Sequence, residues 1–147
     1  MNKSITYVLI LFALALAIAC SGKKDTAEAV ANNDEWPEMD EFHMIMAESF
    51  HPYKDSSNIE PAKANAAEMA RVAEKWANAA LPEKVNNDEI KSSLAQLKTD
   101  AAAFTEIVQS GDSTKIGESL TSLHDAFHKL QEAWYGAGKG EGHGHKH

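Results

Sequence analysis

Apolar residues recur at alternating steps of three and four in four successive stretches, and no stretch alternates at steps of two. That pattern confines the chain to packed helices. The clearest case is LTSLHDAFHKLQEAW, in which Leu120, Leu123, Phe127, Leu130 and Trp134 form one face. Ahead of it, Ile90, Leu94, Leu97, Ala101, Phe104 and Val108 make a second stripe, and Ala62, Ala66, Met69, Ala73, Trp76 and Ala80 a third. The first stripe reads Trp36, Met39, His43, Met46 and Phe50. Asp34 is a candidate cap for this helix, Pro37 suits its first turn, and His51-Pro52 ends it. The second helix begins near Pro61 and stops before Pro82. Asn87 caps the third, with Asp88 and Glu89 complementing the helix dipole, and Gly111 closes it. Asp112 or Ser113 caps the fourth, which runs through Ile116 to Trp134. Short links between the last three favour antiparallel neighbours. The expected fold is an all-α, up-down-up-down four-helix bundle over residues 36–136.

A chain of 147 residues suits one domain with a modest core. Its beginning, MNKSITYVLILFALALAIAC, places Lys3 ahead of an apolar run from Tyr7 to Ala19. The run reads as a secretory signal and is short for a membrane span. The ending Ala17-Ile18-Ala19-Cys20 resembles a bacterial lipobox, with Ala17 in place of the usual leucine. The resemblance implies cleavage before Cys20, a diacylglyceryl thioether on its sulfur, and a membrane-anchored protein of the bacterial cell envelope, periplasmic or outer-surface. Residues 1–19 are then the signal and 20–35 a polar tether, too polar to bury. Residues 137–147 form a glycine-rich tail carrying His143, His145 and His147, a composition suited to capturing copper, nickel or zinc.

The formal charge of −8 leaves no basic footprint for nucleic acid. Losing Lys3 with the leader moves it to −9. Cys20 is the one cysteine, so neither an internal disulfide nor a zinc ribbon is available. No nucleophile-and-base set, phosphate loop or paired core carboxylates stand out, and no enzyme activity is expected. A ferritin-like di-iron centre needs Glu-x-x-His on two helices, and only Glu48 and His51 are so spaced.

Histidines carry what chemistry there is. His124 and His128, four apart, stack on one helical face and can point at one ion. On the first stripe His43 takes a slot between Met39 and Met46. In an up-down bundle the start of helix one lies level with the end of helix four, so His43 meets the pair at similar height. Three imidazoles suit a copper, zinc, nickel or iron ion. His51, about two turns beyond His43 and beside Pro52, reads as a helix-end residue. Ala66, Ala73 and Ala101 leave room beside the histidines, for a flat cofactor or for Trp76 and Phe127.

Residues 104–134, FTEIVQSGDSTKIGESLTSLHDAFHKLQEAW, resemble the last helical hairpin of the small four-helix-bundle cytochromes. In cytochrome c-prime a CxxCH haem-attachment motif precedes an Asp-Ala-aromatic run. LTSLHDAF has that layout, with Leu120 and Leu123 where the cysteines would stand and His124 at the ligand position. The related b-type cytochrome places its histidine after an Ala-Tyr pair, as in Ala126-Phe127-His128, and its methionine near the start of helix one, where Met39 or Met46 could serve. The resemblance implies a bundle for a metal centre; without the cysteines the haem cannot be covalent. The leading expectation is a transition-metal ion held by His43, His124 and His128. Non-covalent haem b is the alternative, with Met39 or Met46 as a cofactor ligand, and a metal-free interaction module stands third. Expected partners are the membrane through Cys20, a second copy of the chain, or a redox or metal-delivery protein.

Overall fold

A computed structural model of the chain describes residues 35–137. The leader with Cys20, Asp34, almost all of the tether and the tail histidines lie outside the described residues. Four helices follow in order: α1 (Pro37–Ser56), α2 (Glu60–Asn78), α3 (Asp88–Ser110) and α4 (Ser113–Ala137). A 3-10 turn at Glu83–Val85 lies between α2 and α3. Each helix packs on the next, and α4 returns against α1, giving the antiparallel four-helix bundle. The closing pair is visibly antiparallel: Trp36 at the head of α1 meets Trp134 near the end of α4, with ring centroids 5.4 Å apart.

The helix ends follow from local chemistry. The Asn87 side chain accepts a hydrogen bond from the Ile90 N–H at 3.0 Å. Asp112 Oδ1 accepts from the N–H groups of Thr114 and Lys115 at 3.1 and 3.2 Å, so Asp112 caps α4. Gly111 takes the left-handed φ of 72° that ends α3.

α1 departs from expectation at its end. It runs through Pro52 to Ser56 and closes at Ser57, whose N–H bonds the Tyr53 carbonyl at 2.8 Å. A proline inside a helix removes one backbone bond and costs about 3 kcal/mol. The added turn carries Tyr53, which packs on the core beside Phe50 and lies over Gly117 of α4. Packing of that ring offsets the lost bond.

The core is aromatic. Trp36, Phe42, Trp76, Phe104 and Phe127 are all fully buried, together with Met46 and Met69. Ala62, Ala66, Ala73 and Ala101 are buried among them. Trp76 touches Trp36, Phe42 and Phe127 at centroid distances of 5.0, 5.7 and 6.4 Å. These small residues lie in the same core as the large aromatic rings.

The buried face of α1 also differs. It is Trp36, Met39, Phe42, Met46, Ser49 and Phe50, and His43 is exposed. Stripes through position 42 or position 43 both keep steps of three and four. Phe42 buries far more apolar surface than an imidazole, so α1 turns Phe42 inward and His43 moves to the flank.

Candidate functional site: a histidine cleft between α1 and α4

The flank of the α1–α4 seam carries a cleft of about 100 Å³ lined by His43, Met46, Ala47, His51, His124, Phe127 and His128. His43, Ala47 and His51 lie four apart on α1, so they share one face, and the alanine between them leaves the gap. His124 and His128 supply the opposing face from α4.

Ring packing sets where each imidazole sits. His124 lies flat on Phe50, with centroids 3.8 Å apart and planes 14° off parallel. His43 stacks on Phe127 at 5.1 Å and 17°. His124 and His128 meet edge to face, and their Nε2 atoms are 3.0 Å apart. His128 Nδ1 is 3.1 Å from Gln131 Oε1.

A contact between two Nε2 atoms needs one proton and one lone pair. If the Gln131 oxygen faces His128, then His128 Nδ1–H donates to it and His124 Nε2–H donates to His128. His124 Nδ1 then turns a bare lone pair toward the Asp125 carboxylate, 3.6 Å away. A half-turn of the Gln131 amide reverses the chain and puts an N–H of His124 toward that carboxylate. Electrostatics favours the second arrangement. At 3.6 Å the Asp125 contact is too long for a hydrogen bond, and His124 Nδ1 is buried without a partner.

His124 has 24 % of its side chain exposed. Its pKa lies below the ordinary histidine value. Burial is the main cause and the His128 ring adds to it; the Asp125 carboxylate opposes them, and His51 is close enough for its charge to lower the value further. One proton lies between the two Nε2 atoms in either arrangement, and a soft-to-borderline cation can take its place.

The two atoms also match a metal bite. At metal–nitrogen bonds of about 2.0–2.1 Å, a 3.0 Å separation subtends roughly 90° at the ion. That is the cis angle of a tetragonal ion, and a shift of a few tenths of an ångström opens it toward tetrahedral.

The expected ligands are thus partly united. His124 and His128 touch, and His43 shares their cleft from a surface position. Met46 borders the cleft at 1 % exposure, whereas Met39 is packed in the core. His51, read as a helix-end residue, lines the same cleft because α1 continues past it. Among the described residues no three histidine, cysteine, aspartate or glutamate side chains are already gathered tightly enough to hold an ion. No known protein family, curated protein or solved structure matches the chain.

Proposed function

We propose that this four-helix bundle binds a transition-metal ion in the α1–α4 cleft, as a lipid-anchored protein outside the cytoplasm. The observation that carries the reading is the 3.0 Å approach of His124 Nε2 to His128 Nε2 in a cleft shared with His43 and His51. Two imidazoles four apart on one helix are an economical way to offer two donors to one ion. Here they are held by stacking on Phe50 and by Gln131 before any ion arrives. A histidine from α1 completes the set by rotation of its exposed side chain. Such a site suits binding, sensing, delivery or electron transfer, and the anchor through Cys20 keeps it at the membrane.

Cleft size favours an ion over haem b. Sites for drug-sized ligands span about 300–1,000 Å³, and this one offers about 100 Å³. Met39, one of the two methionines that a haem could use, is committed to the core.

The test uses the full chain with His143, His145 and His147 each changed to Gln, purified in mild detergent, with elemental analysis and a visible spectrum. The expected result is near-stoichiometric copper, zinc or nickel after loading, no Soret band after haem addition, and loss of the ion in both His124→Ala and His128→Ala. A protein that takes up no ion, or keeps full stoichiometry and affinity in both variants, removes the reading.

A further inference from the structure

Two α1 histidines border the cleft, and the antiparallel register of the seam distinguishes them. His43 is level with Phe127 and stacks on it, and Tyr53 is level with Gly117. Between these levels the His124 ring is laid on Phe50, the residue next to His51. The His124 ring is thus drawn toward the turn of α1 that carries His51, while His128 stays level with His43.

Helical geometry adds a direction. Side chains lean toward the N-terminus of their own helix. From position 51 that lean carries a side chain over Ala47 and into the cleft; from position 43 it carries one away. His51 also lines the same cleft as His124 and His128. Its ring makes no stack or hydrogen bond with the described residues, so nothing must be broken to bring it in. Bringing in His43 would break its stack on Phe127.

The geometry points to His51 as the third imidazole of the metal site, giving a ligand set of His51, His124 and His128 that spans α1 and α4. This inference rests on the ion reading above. The ion it fits is a divalent one of borderline softness, with copper(II) the tightest by the general affinity order and by the near-right-angle bite. A fourth position stays open toward solvent for water or an incoming ligand. His43 is left outside the first set of bonds, stacked on Phe127.

The experiment is a copper(II) titration of the tail-substituted full chain, read by affinity and by the nitrogen hyperfine pattern in electron paramagnetic resonance. His51→Gln and His43→Gln are compared, with helicity checked by circular dichroism; both positions are exposed, so the fold is expected to stand. The expected result is a three-nitrogen pattern in the parent that loses one nitrogen in His51→Gln. Affinity drops there by about tenfold or more, and by less than about threefold in His43→Gln. The reverse pattern, with His43→Gln losing the nitrogen, overturns the role of His51 and leaves the ion reading standing. No stoichiometric copper in the parent overturns both.

Discussion

At the scale of single residues, His124 is the most consequential group in the molecule. Its imidazole is pressed on Phe50 and faces His128, and both depress its affinity for a proton in the folded state. The unfolded chain therefore binds the proton more tightly, with the ordinary value near 6.5. Stability from this group is complete above that value. It declines as pH falls below it, and levels off once the folded pKa is passed. In chelator, the urea midpoint is expected to fall between pH 7 and pH 5, and His124→Gln should flatten that decline. Equal slopes in the two proteins would show that His124 is not the group responsible. His43 illustrates a subtler point at the same scale. Its position in a three-four stripe is real, but position 42 fits the stripe equally well and holds phenylalanine.

Between helices, the closing seam of α1 on α4 is the distinctive element. It holds the histidine cleft at mid-length and a close approach at one end, where Tyr53 lies on Gly117. A Cβ on Gly117 would stand 2.5 Å from Tyr53 Oη and 2.7 Å from its Cζ. Gly117→Ala gains about 1 kcal/mol of helix propensity and suffers overpacking of about 1–3 kcal/mol. The expected net effect is a loss of about 1 kcal/mol in urea denaturation. In a Tyr53→Ala background the clash is gone, and the same change should stabilise by about 0.5–1 kcal/mol. An identical effect in both backgrounds would mean that Tyr53 does not press on Gly117. The same ring explains why α1 does not stop at Pro52. The proline signal is local, whereas the burial of Tyr53 depends on α4.

Across the whole molecule, the proposed link to a membrane lies in the leader and its cysteine. Among the described residues no helix is long and apolar enough to cross a membrane. The formal charge is −8, and −9 without the leader, so anionic lipid repels the chain. Membrane attachment on the proposed reading therefore depends on the lipid at Cys20. In a bacterial host, Cys20→Ser should move the protein from the membrane fraction to the soluble one. A variant that stays with membranes after a high-salt wash would leave the lipid anchor without support.

Helix number, type and order were legible in the sequence, as were the Asn87 cap and the Gly111 stop, while the cap of the fourth helix was narrowed to Asp112 or Ser113 and the structure picks Asp112. Each depends on residues within one or two turns of one another. The His124–His128 pair was legible for the same reason, since residues four apart meet on any helix. The rotation of α1 was not, because Phe42 and His43 differ by one position and only packing against the other helices selects between them. Nor was the place of His51, which depends on α1 outrunning Pro52 and on the register that brings Phe50 against His124. Local spacing settled the elements and the pair. The tertiary structure decided which α1 side chains face that pair, because helix rotation and register are fixed by the apolar surface that the neighbouring helices bury.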